Sequence, residues 1–267
     1  MNELNNLILL RGGGDLGSGV AHRLHNAGFN VLITELEKPL VIRRLVSFAS
    51  AVYSGVIEVE SVKARLINSF DKINLIFEKK EIAVIVDPDL LILKKIRPLA
   101  VIDGTLAKRN IGTDKSMAKI SIALGPGYCA GKDVDAVIET SRGHNLGRII
   151  YVGCAEKDSG IPGSISGYTT ERVLRAPRSG IIKNKFDICS QVNKGDIIAY
   201  IDDTPVVADI SGVIRGLIME GTEVLANQKI GDIDPRNKIE YCNTISDKAR
   251  TISGGVLEAL MFLKSVL

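Results

Sequence analysis

The sequence predicts an α/β protein with a Rossmann-like, doubly wound parallel sheet, a small all-β domain and a C-terminal helix. Three observations predict this class. Short apolar runs alternate with amphipathic segments in the first half. The second half contains an internal repeat of short, glycine-bounded strands, and the last residues show helical periodicity. We therefore expect domains at residues 1–171 and 172–237, followed by a helical segment at 238–267.

The first predicted unit is a strand, a glycine-rich turn and a helix. The apolar run 7–10 precedes a G-x-G-x-x-G pattern formed by Gly12, Gly14 and Gly17, and the helix after it ends at Gly28. In dinucleotide sites these glycines permit a tight turn, the approach of backbone N–H groups to a pyrophosphate, and close packing of helix on strand. The pattern therefore predicts an anion site at the helix N-terminus.

An acidic residue follows the next predicted strand. Glu35 lies 18 positions after Gly17, about where a carboxylate accepts hydrogen bonds from ribose hydroxyls. Two other interpretations stay open. The glycines could serve packing alone, and Asp15 inside the turn either repels a phosphate or caps the helix.

Three further apolar runs, at 82–87, 99–103 and 119–124, alternate with amphipathic stretches. This alternation favours a parallel sheet. Asp87 and Asp103 close two of the runs. They either face a ligand crevice at the carboxyl edge of the sheet or begin turns.

The segment 123–148 combines a second glycine-rich loop with many ionisable side chains. Arginines can clamp a phosphate or carboxylate bidentately, and a histidine titrates near neutral pH. The candidate catalytic residues are His144, Lys132 and Glu139, and the candidate cofactor-binding residues are Gly12, Gly14, Gly17, Glu35, Gly125, Gly127, Arg142 and Arg148. A simpler interpretation is that Arg142 pairs with Glu139 on one helical face.

The cysteine positions predict neither a zinc site nor a disulfide framework. Cys129, Cys154, Cys189 and Cys242 lie far apart and form no CxxC pair. We therefore expect no metal site. Cys129 could bind a soft metal or carry sulfur, or it could be a small buried apolar residue.

Residues 176–202 repeat as residues 208–234, with a shift of 32 positions. The identical pairs include Gly180 with Gly212 and Asp202 with Asp234. The pattern is similar to the barrel-sandwich hybrid of biotinyl and lipoyl domains, in which the turn between the halves presents a lysine for the cofactor. The corresponding connection here, 202–207, has no lysine. We therefore expect no covalent biotin or lipoate, and a docking or lid role for this domain.

The C-terminal segment has an apolar face with helical spacing, through Val256, Leu257, Leu260, Leu263 and Leu267. We expect this helix to be interrupted, or to begin, at Gly254–Gly255 and to pack on the first domain.

Composition favours an ordinary globular protein. Hydrophobic residues make up 45% and charged residues 24%, with a net charge of +3. This weak charge argues against nucleic acid and a membrane surface as partners. The sequence has no run of about 18 apolar residues and no secretion signal at its start. We therefore expect a cytoplasmic location.

Four stretches resemble the YqeB family of selenium-dependent molybdenum hydroxylase system proteins. They are RGGGDLGSGVAHRL, EKPLVIRRLVSF, GPGYCAGKDVDAVIETSRGHNLGR and SGIPGSISGYTTERVLRAPRSGI. A more distant similarity is to XdhC-type maturation factors, which have a Rossmann-like domain and handle molybdopterin cofactor. The resemblance implies a cytosolic accessory factor whose partner is a client molybdenum hydroxylase.

The leading functional hypothesis is therefore a maturation factor for a selenium-dependent molybdenum hydroxylase. It would bind a phosphate-containing ligand, of molybdopterin type or a dinucleotide such as NAD, at the first glycine turn. One alternative is an NAD-dependent oxidoreductase, with His144 or Lys132 as proton donor. The other is a non-catalytic scaffold with a vestigial nucleotide fold. A homo-oligomer is possible in each case.

Overall fold

The structure is a computed structural model that describes the backbone of residues 2–267 and the side chains from Asn6 onward. The chain folds as two compact units. Unit 1 contains the residues up to Pro39, Ser47–Asp158 and Ile245–Leu267, and unit 2 contains Leu40–Val46 and Ser159–Thr244.

Unit 1 is built on a large mixed sheet. Its strands are β1 (Asn2–Arg11), β2 (Asn30–Glu35), β3 (Val56–Val59), β4 (Val62–Leu66), β5 (Ile82–Val86), β6 (Ile96–Asp103), β7 (Ile120–Leu124), β8 (Cys129–Ala130), β9 (Ala136–Ile138), β10 (Ile149–Ile150) and β11 (Gly153–Cys154). Nine of them form one sheet in the order β10-β9-β7-β6-β1-β2-β5-β4-β3, while β8 and β11 pair separately.

The helices are short, apart from the first and the last. They are α1 (Asp15–Asn26), α2 (Ala51–Ser54), α3 (Ile73–Glu78), α4 (Glu240–Asn243) and α5 (Asp247–Ser265), of which α4 lies in unit 2. Short 3-10 turns lie at Arg44–Val46, Phe48–Ser50, Phe70–Lys72, Leu91–Lys94, Lys115–Met117 and Thr170–Arg172. Among the helices of the described chain, none combines the length and apolar character needed to cross a bilayer.

The predicted Rossmann-like, doubly wound parallel sheet is wrong. The inner strands are parallel, but β3 is antiparallel to β4, and β10 is antiparallel to β9. A doubly wound sheet also needs helical crossovers, and the connections from β5 to β6 and from β6 to β7 contain only 3-10 turns. In the first of these connections Asp87 accepts hydrogen bonds from the backbone N–H groups of Leu91 and Ile92, so the chain turns tightly instead of forming a longer helix.

Helix α5 packs against α1 through small residues. A side chain at Gly19 of α1 would collide with Ala249 of α5, and the Arg23 Nε donates a 2.8 Å hydrogen bond to the Ser253 hydroxyl. The prediction that the last helix begins or is interrupted at Gly254–Gly255 is wrong. The helix begins at Asp247 and continues through both glycines. A side chain at Gly255 would collide with the Gly147 carbonyl, so a glycine is needed at this point of close packing.

Unit 2 consists of two four-stranded antiparallel sheets. Its strands are β12 (Val173–Arg175), β13 (Gly180–Asn184), β14 (Gln191–Val192), β15 (Ile197–Ile201), β16 (Thr204–Val207), β17 (Gly212–Leu217), β18 (Glu223–Val224) and β19 (Lys229–Asp234). The sheet orders are β12-β19-β17-β14 and β16-β15-β13-β18. The sequence repeat appears as equivalent strands, with β13, β14 and β15 matching β17, β18 and β19. Each half contributes one short strand to the sheet of the other half.

The predicted biotinyl/lipoyl-like barrel-sandwich hybrid is also corrected. Each sheet includes a strand from outside the repeat, β12 in one and β16 in the other. The connection 202–207, which presents the cofactor lysine in carrier domains, here contributes β16 and pairs with β15. Its backbone is thus tied into a sheet.

The first testable prediction concerns an ion pair on the sheet of unit 1. Arg65 on β4 holds Glu81 with two hydrogen bonds of 2.7 and 3.0 Å, and these lower the pKa of Glu81 below its ordinary value of 4.5. This stabilisation is therefore present above pH 4.5 and lost as the pH falls. We expect Glu81→Gln to reduce the free energy of unfolding by about 0.5–1 kcal/mol at neutral pH, because Arg65 is partly exposed.

Urea denaturation of both proteins between about pH 7 and pH 2 measures this difference. It should shrink as the pH falls, while the exposed Glu78→Gln control should show almost no difference. An equal loss of stability at every pH would mean that the contribution of Glu81 is not ionic.

Candidate functional site

The glycine turn between β1 and α1 is filled by a side chain of the protein itself. One carboxylate oxygen of Glu35 accepts a 2.5 Å hydrogen bond from the Gly13 N–H, and the other accepts one from the Leu36 N–H. Glu35 is 8% exposed. Burial raises the pKa of Glu35, and the two backbone hydrogen bonds oppose this shift.

A neighbouring segment covers the same turn. The Ala49 N–H donates to the Gly13 carbonyl, and the Phe48 N–H donates to the Ser18 hydroxyl. Phe48 is fully buried. A phosphate at this turn would meet the Glu35 carboxylate and a closed backbone, so the predicted nucleotide-binding role is wrong.

The glycines of the turn serve close packing. A side chain at Gly17 would collide with the Gly12 carbonyl, and one at Gly12 would press against Thr105. Gly14 precedes α1 in an ordinary extended conformation. The pattern thus reflects the tight approach of strand, turn and helix.

The second glycine loop is also packed. Gly125 and Gly127 both have positive φ angles, of +69° and +109°. A side chain at Gly125 would collide with Thr140, and one at Gly127 would collide with the backbone of Arg109. The binding role predicted for these two glycines stays a prediction.

Asp103, at the end of β6, is the centre of a buried polar network. It accepts hydrogen bonds from the hydroxyls of Thr105, Thr113 and Tyr128, at 2.6 to 2.8 Å. Burial first, and then the Asp103 charge, raises the pKa of Tyr128 to about 12. Asp103 therefore stabilises the turns at this edge of the sheet.

The Glu139 carboxylate connects two segments beyond the sheet. It is 3% exposed and accepts hydrogen bonds from three backbone N–H groups, those of Thr140 and Ser141 at 2.7 Å and that of Glu156 at 2.8 Å. The Glu139 N–H in turn donates to the Arg148 carbonyl. Both carboxylate oxygens are thus engaged in positioning the backbone. The catalytic role predicted for Glu139 stays a prediction.

A cleft of about 380 Å³ opens between these two segments. Its lining contains three ionisable side chains, those of Glu139, Arg148 and Glu156, and an apolar wall from Ile149 to Val152. Val152 is 88% exposed, and the ring of Tyr151 contacts that of Phe262 with 5.2 Å between centroids. The cleft therefore offers charges of both signs beside an open apolar surface.

The other predicted polar residues lie apart from the cleft lining. Arg142 forms a 3.2 Å ion pair with Asp247 at the start of α5, in place of the alternative pairing with Glu139. His144 and Lys132 are exposed on loops. Their catalytic roles stay predictions. The structure brings Glu139 and Arg148 together at the cleft, and Lys132 is not among the residues that line it.

The expectation of no disulfide is wrong. Cys129 and Cys154 are bonded to each other across the antiparallel pair of β8 and β11. The other two cysteines, Cys189 and Cys242, are free thiols in unit 2. Burial and the neighbouring Cys189 thiol raise the pKa of Cys242 to about 11.

Sequence reasoning missed Lys248, in the first turn of α5. Lys248 is half-buried, and within the described residues its amine forms no hydrogen bond or ion pair. Burial and the charge of Arg142 lower its pKa, although Asp15, Asp158 and Glu139 oppose the shift. Sequence spacing gives no signal for it, because Lys248 lies more than 100 positions from Glu139 and Arg142.

Sequence reasoning also missed the two cleft residues Cys154 and Glu156. The available signal was weak: one cysteine lies inside the polar segment 123–148, and the second follows it closely, in VGCAE. The two cysteines come together because the chain reverses between β9 and β10. Strands of two or three residues give only a weak sequence signal for such a reversal.

No family model matches the chain. The chain is 50% identical over 257 residues, 96% of its length, to the uncharacterized protein YqeB of Escherichia coli strain K12. It spans 48% of the length of that protein, about half. The sequence resemblance to YqeB is thus confirmed over this span, while the selenium-dependent molybdenum hydroxylase role is no part of that description.

Several solved structures show a distant likeness. The product-bound ectoine utilization protein EutE (DoeB) of Ruegeria pomeroyi is 10% identical, with 85% of this chain and 57% of that chain covered and a TM-score of 0.24. A succinylglutamate desuccinylase/aspartoacylase of Rhodobacter sphaeroides is 10% identical, with 86% and 84% covered and a TM-score of 0.27. A succinylglutamate desuccinylase of Silicibacter is 16% identical, with 87% and 85% covered and a TM-score of 0.26. At these TM-scores the likeness does not define a shared fold.

The predicted function as a maturation factor that binds a molybdopterin-type or dinucleotide ligand is corrected. Its physical premise was an open phosphate site, and Glu35 occupies that position. The NAD-dependent oxidoreductase and the vestigial nucleotide scaffold both presuppose the same nucleotide fold and are withdrawn with it. The client enzyme and the homo-oligomer stay predictions.

The second testable prediction concerns the filled turn. We expect Glu35→Ala to lower the free energy of unfolding by about 1–3 kcal/mol, because the buried Gly13 N–H loses its acceptor. The raised pKa means that the contribution of Glu35 is largest below pH 4.5 and decreases as the pH rises through the folded-state value.

Urea denaturation at several pH values tests this expectation, with the exposed neighbour Glu37→Ala as control. If Glu35→Ala were no more destabilising than Glu37→Ala, the carboxylate would not be part of the turn.

Proposed function

We propose that this YqeB-related chain binds a small zwitterionic organic acid, an α-amino acid or a short peptide, in the cleft of unit 1. One observation carries the proposal. Arg148 and Glu156 line the same cleft with opposite charges, and within the described residues neither side chain has a hydrogen bond or an ion pair.

The two side chains suit the two ends of such a ligand. The planar guanidinium of Arg148 can donate two parallel hydrogen bonds to a carboxylate. The Glu156 carboxylate can accept hydrogen bonds from an ammonium group. A single exposed ion pair contributes little to the free energy of binding. A ligand that carries both charges can form two such pairs and should therefore bind more tightly than a ligand with one charge.

The apolar wall gives the rest of the ligand a place to lie. Small-molecule sites are clefts of roughly 300–1,000 Å³ with apolar linings and a few polar groups, and the volume of about 380 Å³ falls in this range. Ile149, Ile150 and the exposed Val152 provide apolar surface. The cleft fits one amino-acid side chain better than it fits a dinucleotide.

The proposal includes the cytoplasmic location expected from the sequence. Free amino acids and small peptides are soluble ligands, and no membrane contact is needed to reach an open cleft. The proposed function is therefore that of a soluble-metabolite binding protein.

The third testable prediction is a calorimetric titration with a panel of free L-amino acids. For the amino acid that binds most tightly, its amide and its N-acetyl derivative should each bind about tenfold more weakly or worse, because each loses one charge-assisted contact. Arg148→Gln should weaken the binding of the free amino acid by a similar factor and leave the binding of the amide almost unchanged.

The matched control is Arg97→Gln. Arg97 is an exposed arginine near the start of β6, where it donates a hydrogen bond to the Ser116 carbonyl. It is not among the residues that line the cleft. Binding that is insensitive to ligand charge, or equal loss in both variants, would contradict the proposal.

A further inference from the structure

We infer that the Cys129–Cys154 disulfide is a redox site that exchanges with a low-molecular-weight thiol of the amino-acid type, such as cysteine or a cysteine-containing peptide. The inference rests on the proposed function for the recognition of the ligand's charged groups. It adds a covalent step that the binding of an amino acid does not require.

The placement of the disulfide is the first support. Cys154 is exposed and lines the same cleft as Arg148 and Glu156, whereas its partner Cys129 is half-buried. A thiol whose carboxylate and ammonium group are held by those two side chains is therefore brought to the wall that contains the sulfur of Cys154. Because Cys154 is the more exposed of the two residues, we expect its sulfur to be the one that is attacked.

The second support is that the surrounding fold has other anchors. The backbone N–H group of Cys129 donates a 2.8 Å hydrogen bond to the Asp133 carboxylate. Beyond Cys154, the Glu156 N–H donates to Glu139. The two strands that the disulfide joins have only two residues each. The cleft walls are thus held by carboxylates, and cleavage of the disulfide leaves them in place.

The third support is chemical context. In the cytoplasm, where the protein is proposed to reside, disulfides are usually transient and catalytic or redox-sensing, since glutathione and thioredoxin keep thiols reduced. An exposed disulfide at the wall of a ligand cleft belongs to this class. Cys189 and Cys242 are free thiols in the same chain.

The reaction is a thiol–disulfide exchange in two steps. The thiolate of a first ligand molecule attacks the sulfur of Cys154; the new S–S bond forms as the Cys129–Cys154 bond breaks, and Cys129 leaves as a thiolate that takes up a proton. A second ligand thiolate attacks the ligand sulfur of this mixed disulfide and releases Cys154. The protein disulfide gains two electrons and two protons, and two ligand thiols become one ligand disulfide.

The fourth testable prediction uses L-cysteine, its methyl ester, N-acetyl-L-cysteine and 2-mercaptoethanol as probes. Reduction of the Cys129–Cys154 bond is followed by alkylation and peptide mass mapping, which separates these cysteines from Cys189 and Cys242. Each rate is divided by the rate of the same thiol with a small aromatic disulfide, so that differences in thiolate reactivity cancel. We expect saturable reduction by L-cysteine, about tenfold faster than by the other three probes, with the advantage lost in Arg148→Gln but kept in Arg97→Gln.

A second variant captures the intermediate. Cys129→Ser leaves Cys154 as a lone thiol at the cleft, and we expect it to form a mixed disulfide with L-cystine faster than with the disulfide of 2-mercaptoethanol. The melting temperature of Cys129→Ser should stay close to that of the wild type, because the cleft walls have other anchors. A large fall in its melting temperature would show a purely structural disulfide and would overturn the inference.

The outcomes separate this inference from the proposed function. If thiol-free amino acids bind but all four thiols reduce the disulfide at normalised rates that are equal, the inference is overturned and the proposed function stands. If thiol-free amino acids do not bind and reduction is also unselective, both are overturned. Selective reduction by L-cysteine that depends on Arg148 supports both.

Discussion

The cleft depends on one buried carboxylate, that of Glu139. Three backbone N–H groups donate to it, two from the residues that follow it and one from Glu156. A buried carboxylate is stable only when such donors replace water. Because its own N–H also donates to the Arg148 carbonyl, Glu139 fixes both segments that present the cleft charges. The opposite charges of Arg148 and Glu156 face the same space for this reason.

A second buried carboxylate has the reverse effect at the same sheet. Glu35 accepts a hydrogen bond from the Gly13 N–H group and so closes the glycine turn to a ligand. The usual phosphate site of a strand–turn–helix unit is therefore occupied by the protein. The cleft described above lies beside the loop after β9, and it combines charged side chains with an apolar wall.

The sequence predicted the local strand, turn and helix well, but it did not predict which side chains fill the turn in the folded protein. The strand at 7–10, the turn and the helix up to the region of Gly28 were all expected and are present. The G-x-G-x-x-G pattern encodes a close approach of backbone segments, and Gly17 is needed against Gly12 whether or not an anion binds. The pattern therefore could not reveal that Glu35 points into the turn.

Two other features were beyond the sequence for related reasons. The connection from β5 to β6 lacks a longer helix because the Asp87 side chain caps a tight turn there. Hydrophobic periodicity gives no information about such a cap. The disulfide depends on the pairing of two-residue strands. The repeat in unit 2 was visible because eight identical residues recur at one fixed spacing, so local pattern and tertiary structure agree there.

The most direct test is amide hydrogen exchange in a Glu139→Ala variant, which removes both acceptor oxygens. We expect the amides of Thr140, Ser141 and Glu156 to exchange faster by about tenfold or more, while the amides of β1 and β6 keep their protection. Unchanged exchange at Glu156 would contradict this expectation, because the cleft would then be held by something other than the Glu139 carboxylate.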